Sequence, residues 1–256
     1  REPSASLRGE AAAALRALED PRARKRLVWM LDDADAAVRA AALDAYARFQ
    51  GTSPLDVAEA TLRASHEDIR ARGLDQLVKL GASEATDALL ADAIEDESAK
   101  VRGEAFRALW AWHDKAPQGA LDRALAARFP DLRLRAVLEL TVLGAEPWAL
   151  ARLRAAIGDR DEQVALAAHA AVVKLAGESD AEAHVAATGS VLPNVRTAGA
   201  KGASHASAAA VRGALSKLLE DAEPAPRTAA VESLDKLLPD DAAPLHAALQ
   251  SSHLDL

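Results

Sequence analysis

Apolar residues recur along this chain at helical spacing, and a short signature recurs with them. The signature is an aliphatic residue followed by arginine. It occurs at Val38-Arg39, Ile69-Arg70, Val101-Arg102, Leu134-Arg135 and Val195-Arg196, and as the variant Pro226-Arg227. Val164-Ala165 fills the gap in the series, so that successive copies lie 31, 32, 33, 30, 31 and 31 residues apart. Such a constant spacing predicts a repeat architecture.

The positions that follow each signature keep a fixed pattern of size. Four residues after the aliphatic position the chain has Ala42, Gly73, Ala105, Leu138, Ala168, Gly199 and Ala230. Eight residues after it stand Tyr46, Leu77, Leu109, Val142, Val172, Ala203 and Leu234. Offsets of four and eight fall on one stripe of an α-helix. This stripe is predicted to face the core, with a small residue where another helix comes close.

Capping residues mark the ends of these helices. Asp35, Ser98, Asp131 and Asp161 stand three residues before the aliphatic position, which suits an N-cap. Another helical stretch precedes each of these helices, so that each unit is predicted to be helix–turn–helix. The predicted organisation is a capping helix over residues 1–20, a repeat array over 21–250 and a tail over 251–256. The second helix of each pair is predicted to start near residues 35, 66, 98, 131, 161, 192 and 223.

The pattern Asp-x-x-Val-Arg-x-x-Ala-x-x-Ala-Leu, best kept in Asp35–Tyr46 and nearly kept in Ser98–Leu109, resembles the HEAT-like repeat family. The resemblance is to its short form, the bilin-lyase type with repeats of about 31 residues as here, and it covers roughly residues 20–250. It implies an all-α fold, a right-handed α-solenoid of about seven helix-turn-helix repeats. The shared part is the scaffold, so it implies nothing about chromophore chemistry.

The resemblance also implies a ladder of contacts between neighbouring repeats. Its members would be Asp35, Arg39, Arg70, Arg102, Asp131, Arg135, Asp161, Arg196 and Arg227. Ala165 replaces the arginine of the fifth repeat, which is therefore expected to lack its rung. The sixth repeat departs most from the pattern, because Pro193, Gly199 and Gly202 lie in its second helix. Each interior glycine costs about 0.5–1 kcal/mol relative to alanine, which predicts a loosened or shortened repeat.

Composition and charge exclude several classes of protein. Half of the 256 residues are hydrophobic and only 3% are aromatic, which suits thin helical packing and argues against a disordered chain. The chain has no cysteine, so it holds no disulfide framework, and a cytoplasmic location is expected. No apolar run approaches 18 residues, so no membrane association is expected. The start Arg-Glu-Pro-Ser lacks an initiator methionine and is expected to belong to a longer protein.

A candidate partner surface follows from the family resemblance, because the second helices usually line the concave face of HEAT-like solenoids. Nine residues after the aliphatic position the middle repeats carry Val78, Trp110, Leu143 and Val173. One hypothesis is an apolar ridge that docks a partner protein or peptide, with Trp110 as its anchor. Lys79, Arg107 and Lys174 flank the row and would orient an acidic partner. The alternative is that the apolar side chains pack on the next repeat.

No sequence motif demands catalysis, and no cofactor or metal site is predicted. His113-Asp114 is a close His–acid pair that suits a helix end. Some alkylpurine DNA glycosylases are built from HEAT-like repeats and use a Trp and an Asp, which Trp110 and Asp114 resemble in type. A second alternative is a nucleic-acid scaffold that binds through Lys79, Arg107 and Lys174. The net charge of −8 disfavours both alternatives, and the predicted function is a noncatalytic protein-binding scaffold.

Overall fold

The computed structural model describes residues 4–18, 20–113, 116–239 and 246 of the chain. Within these residues the fold is all-α, with fifteen helices and no strand. The helices are α1 (Ala5–Ala17), α2 (Pro21–Met30), α3 (Ala36–Ala47), α4 (Pro54–Leu62), α5 (Glu67–Leu80), α6 (Glu84–Ala93), α7 (Ala99–Trp112), α8 (Gln118–Ala126), α9 (Pro130–Leu143), α10 (Pro147–Ala156), α11 (Glu162–Ala176), α12 (Ala181–Thr188), α13 (Pro193–Ala203), α14 (Ala208–Leu218) and α15 (Pro224–Leu237). None of these helices is long and apolar enough to cross a membrane.

The chain divides into two compact units, Arg1–Leu132 and Arg133–Leu256, and the boundary lies inside α9. After α1, helices come in pairs: the even-numbered member is called the first helix below, and the odd-numbered member the second. In the first unit one core cluster is built around Leu27 and Tyr46. In the second unit a core cluster is built around Leu215 and Leu234.

Side-chain caps explain where several second helices begin. The carboxylate of Asp35 accepts hydrogen bonds from the N–H groups of Ala37 and Val38, and the hydroxyl of Ser98 accepts from Val101. Asp161 caps α11 in the same way. At the other end, glycines with positive φ directly follow α5, α9 and α11, at Gly81 (80°), Gly144 (90°) and Gly177 (102°), and Gly51 (76°) lies in the turn between α3 and α4. A residue with a Cβ adopts this conformation at a cost, so glycine terminates these helices well.

The buried stripe of the second helices holds a small residue at one level and a large one at the next. The small residues are Ala42, Gly73, Ala105, Ala136, Ala168, Gly199 and Ala230. Four positions later the residue is large or medium in six of the seven helices and is alanine in α13: Tyr46, Leu77, Leu109, Leu140, Val172, Ala203 and Leu234. All fourteen are buried. This alternation lets neighbouring helices approach at the small residue and fills the space beside it with the large one.

In α9 the register differs by two residues from the sequence prediction. The buried residues are Leu132, Ala136 and Leu140, whereas Leu138 is 51% exposed and Val142 is 81% exposed. The predicted core positions Leu138 and Val142 are therefore wrong. The run Leu132-Arg133-Leu134-Arg135 contains two aliphatic–arginine pairs, and only the first places alanine, rather than leucine, four residues later.

The sixth pair is short, as expected, but its glycines serve close packing. The helix α12 has 8 residues and α13 has 11. A Cβ on Gly199 would lie 2.7 Å from the Cβ of Ala187 and 2.7 Å from the backbone N of Thr188. A Cβ on Gly202 would collide with the imidazole of His184. The two helices thus approach at a distance that only glycine permits, and the expectation of a loosened repeat is wrong on this point.

Arginines on α1 and near the start of second helices join neighbouring elements through partly buried ion pairs. In the first unit Arg8 binds Asp33 at 2.7 Å and Arg70 binds Asp96 at 2.6 Å. Both carboxylates lie in the turn that precedes a second helix, and their Oδ1 atoms also accept a hydrogen bond from the N–H group two residues further on. In the second unit Arg133–Asp159 and Arg196–Asp221 have the same arrangement, at 2.8 and 2.6 Å.

A second type of ion pair alternates with the first. Arg39 binds Asp68 at 2.9 Å and Arg102 binds Asp131 at 2.7 Å, and here the carboxylate lies in the first turn of the next second helix. The same contact further along the chain would join residues 165 and 194, which are alanine and asparagine. The side chain of Asn194 instead donates to Glu162 at 2.9 Å. Both partners of this rung are therefore replaced together.

Three predicted members of the ladder lie elsewhere. Arg135 is exposed and pairs with Glu139 one turn along its own helix, at 2.6 Å, while Arg133 takes the buried position. Asp35 and Asp161 act as N-caps, and the carboxylates that bind the arginines stand two residues before them. Arg227 donates to the backbone carbonyls of Asp221 and Ala222 in the turn before its helix. Arg39, Arg70, Arg102 and Arg196 each donate to two such turn carbonyls as well.

Candidate docking surface

Two of the residues predicted to bind a partner line one open groove in the first unit. The groove lies between α5 and α7, has a volume of about 360 Å³ and is lined by Leu74, Asp75, Val78, Glu104, Arg107 and Ala108. Val78 is 47% exposed and supplies an accessible aliphatic side chain to this groove. Arg107 reaches across its own helix to Glu104, at 3.6 Å, and borders the apolar floor.

A second groove lies on the other side of α5, against α3. It has a volume of about 320 Å³ and is lined by Ala40, Leu43, Asp44, Ala47, Val57, Arg72, Asp75, Gln76 and Lys79. Lys79 and Arg72 supply two positive charges, and Asp44 and Asp75 supply two negative ones. Arg48 also pairs with Asp44 at 2.9 Å. The residues of the predicted basic row therefore have acidic side chains beside them here. The surface presents charges of both signs next to apolar side chains.

Trp110, the predicted anchor, is only partly accessible. It is half-buried and its ring packs against Phe106, with the centroids 6.1 Å apart and the planes tilted by 53°. Trp110 therefore offers only part of its ring to a partner. Asp114, its partner in the DNA glycosylase alternative, lies outside the described residues.

The remaining predicted contact residues belong to the second unit. Leu143 and Val173 are half-buried, and Lys174 is exposed on α11. With the observed register of α9, Thr141 takes the place of Leu143 in the row of Val78 and Trp110. The large exposed apolar residues of α9 are instead Leu138 and Val142, which the sequence reasoning had assigned to the core. The signal that distinguishes the two registers is the residue four positions after the aliphatic residue. This residue is alanine after Leu132 and leucine after Leu134.

No group of three or more His, Cys, Asp or Glu residues in the described part of the chain has a metal-binding arrangement. The imidazole of His113, at the C-terminal end of α7, lies 3.0 Å from Asp87 on α6, the first helix of the same pair. The other Oδ of Asp87 is buried without a hydrogen bond. His169 and His184 form a buried pair in the second unit, with ring nitrogens 3.0 Å apart.

Comparison with known proteins gives distant structural similarity only. No family model matches the chain, and no curated protein matches it. Among solved structures, YibA of E. coli is 16% identical, with a TM-score of 0.41 over 98% of this chain and 99% of that one. An engineered protein is also 16% identical, with a TM-score of 0.33 over 97% of this chain and 79% of that one.

Proposed function

We propose that this chain is a noncatalytic protein-binding scaffold, a right-handed solenoid of about seven HEAT-like repeats whose second helices hold a partner peptide. The regular spacing of the small buried residues and of the arginine ion pairs supports the repeat architecture. The peptide site in the first unit consists of the two grooves beside α5, between α3, α5 and α7.

The exposure of Val78 is the observation that carries this proposal. On α5, Val78 is 47% exposed and Leu80 is 41% exposed, whereas Leu74 and Leu77 are buried. Val78 lines the groove between α5 and α7, so an apolar side chain of a partner can enter this groove beside it and remove both apolar surfaces from water. Burial of apolar surface stabilises by roughly 25 cal/mol per Å².

The charges around Val78 define the kind of peptide that fits. The groove between α5 and α7 carries Asp75, Glu104 and Arg107, and the groove between α3 and α5 adds Lys79. A peptide of one sign would meet repulsion in one of the grooves. The surface therefore favours an amphipathic segment with an apolar stripe and charges of both signs on its flanks.

Selection from a random peptide library tests this proposal. Peptides selected on the intact protein are measured by fluorescence anisotropy against the native chain and against Val78→Asp. We expect the substitution to weaken binding about tenfold or more, because it places a charge at the centre of the apolar contact.

Val191→Asp provides the matched control, since Val191 is 83% exposed in the turn before α13. It should change the affinity less than about twofold, within the usual range of remote surface substitutions. If the library yields no binder, or if the selected peptides bind Val78→Asp as tightly as the native protein, the proposed site is wrong.

A further inference from the structure

The N-terminal part of the chain has the opposite charge to the rest. Residues 1–30 contain seven Lys and Arg residues and four Asp and Glu residues, a net charge of +3. The whole protein has a net charge of −8, so the other residues carry −11. Four of the seven cations lie on the helix α2, which has no acidic residue. A local concentration of cations on an acidic protein points to a specific anionic ligand rather than to general solubility.

The cations of α2 share one exposed face with a tryptophan. Arg22, Lys25, Arg26 and Trp29 follow the spacing i, i+3, i+4 and i+7, which places them on one side of a helix. Trp29 is 68% exposed, and the opposite side of α2 is fixed in the core by Leu27. The face is thus presented on a rigid element. From Arg22 to Trp29 it spans about 10 Å along the helix axis.

Among the described residues, one of the three cations on this face has a carboxylate partner. Arg22 pairs with Asp20 at 3.1 Å, and both side chains are accessible to water. Among the described residues no carboxylate forms an ion pair with Lys25 or Arg26. The guanidinium of Arg26 lies over the ring of Trp29, 5.8 Å from its centroid. This cation–π contact holds both groups at the surface, and Trp and Arg are the residues that dominate binding energy at interfaces.

The surroundings of α2 limit the length of the ligand. A groove joins α2 to α4, and Asp56 and Glu59 line its far side. Beyond α4, the helix α6 exposes Glu84 and Asp92. Charges interact over about 8 Å at physiological ionic strength. A short anion bound to α2 is therefore attracted by the cations of this helix, whereas a long polyanion would also be repelled by the acidic residues of α4 and α6.

We propose that the outer face of α2 binds a short acidic segment of a partner protein. Its carboxylates would pair with Arg22, Lys25 and Arg26, and an apolar residue beside them would cover Trp29. This site lies on different helices from the grooves beside α5, so it stands or falls independently of the function proposed above. It also accounts for a large aromatic side chain that is left in water on a well-packed helix.

Fluorescence anisotropy with a labelled glutamate-rich decapeptide that contains one leucine tests the inference. The intact protein should bind it in a salt-dependent manner, and the same peptide with glutamine in place of glutamate should bind at least tenfold more weakly. The double variant K25E/R26E should reduce affinity about tenfold or more. Trp29→Ala should reduce it about fivefold, through loss of the aromatic contact.

The double variant K201E/K217E makes the same change in total charge on α13 and α14, at two exposed lysines of the second unit. It should alter affinity less than about twofold if the binding is local to α2. Circular dichroism checks that each variant keeps its helical content. The inference is overturned if the acidic peptide does not bind at low salt, or if K25E/R26E and K201E/K217E weaken binding equally. Tighter binding of single-stranded DNA or of phosphatidylserine vesicles than of the acidic peptide would also overturn it.

Discussion

The Nε2 atom of His169 on α11 lies 3.0 Å from the Nδ1 atom of His184 on α12, and both side chains are buried. His184 Nε2 is in turn 2.8 Å from the backbone carbonyl of Glu178. A carbonyl can only accept, so His184 carries its proton on Nε2 and leaves Nδ1 as the acceptor for His169. In this hydrogen-bond geometry each ring donates from its Nε2 atom. Burial, followed by the positive charge that His184 can carry, lowers the pKa of His169 to about 4.

This arrangement predicts loss of stability in mild acid. His169 stays neutral in the folded protein down to about pH 4, whereas in the unfolded chain it binds a proton below its ordinary value of 6.5. The unfolded state thus binds more protons between these values, and the free energy of unfolding falls as the pH falls through this window. The loss should reach about 3 kcal/mol near pH 4. Urea unfolding at neutral pH and near pH 4 measures it.

His169→Gln separates this contribution from that of other groups. The glutamine amide can donate to His184 as His169 does, but it does not titrate. Nearby, His205 lies 3.4 Å from Glu178 at the surface. Burial alone would raise the pKa of Asp180, but the N–H of Ala183 and Arg154 bring it below its ordinary value. We expect a flatter pH dependence in His169→Gln than in the native protein, and equal slopes would show that the histidine pair is not the cause.

Gly199 should not tolerate a larger side chain. Alanine at this position would place its Cβ 2.7 Å from the backbone N of Thr188, which forces α13 away from α12. We expect Gly199→Ala to destabilise the protein by about 1–3 kcal/mol, the usual range for overpacking. Gly213→Ala in the interior of α14 is the control, because a Cβ there meets no atom within 4 Å. It should stabilise by about 0.5–1 kcal/mol, and a similar loss in both variants would contradict the close approach.

The sequence predicted most helix starts because caps and spacing are local signals. Its failures have a common physical origin in contacts between helices. The choice between Leu132 and Leu134 as the buried residue depends on which register brings alanine, at Ala136, against a neighbouring helix. Helix propensity alone predicts that Gly199 destabilises its helix. Its role in close packing follows only from the proximity of Thr188 on the neighbouring helix.

The alternation between the two types of ion pair could not be predicted from the residue pattern of one repeat. Every arginine signature looks alike along the chain, but its acceptor lies alternately in a turn and in a helix, as for Arg70 with Asp96 and Arg102 with Asp131. The exposure of Val78 was predicted because α5 has the register expected from the sequence. The exposure of Leu138 and Val142 was not predicted, because the register of α9 differs from the expected one.

The register of α9 can be tested with two identical substitutions on one helix. Leu140 is fully buried, so Leu140→Ala should leave a cavity and lower the free energy of unfolding by about 2–5 kcal/mol. Leu138 is 51% exposed, and Leu138→Ala should change stability by less than about 1 kcal/mol. Chemical denaturation of the two variants decides the matter. A larger loss at Leu138 than at Leu140 would restore the register first predicted from the sequence.

Arg133 and Arg135 provide a second matched pair, this time for the ion-pair ladder. Arg133 binds Asp159 at 2.8 Å with both side chains nearly buried, while Arg135 is exposed beside Glu139. Arg133→Ala leaves the Asp159 carboxylate buried without its cation and should destabilise by about 3 kcal/mol at neutral pH. Arg135→Ala should change stability by less than about 0.5 kcal/mol.

Acidic pH should reduce the difference in the free energy of unfolding between Arg133→Ala and Arg135→Ala. Burial alone would raise the pKa of Asp159, but hydrogen bonds from Arg133 and from the N–H of Asp161, with the charge of Arg133, bring it below its ordinary value of 3.8. A lowered carboxylate pKa contributes stability that is present above 3.8 and is lost as the pH falls through the folded-state value. Unfolding measured from neutral pH to below 3.8 should therefore show the cost of Arg133→Ala shrinking in acid, because protonated Asp159 no longer needs a cation. A cost that stays constant over this range would mean that Arg133 stabilises the second unit by packing and by its other hydrogen bonds rather than by this charge pair.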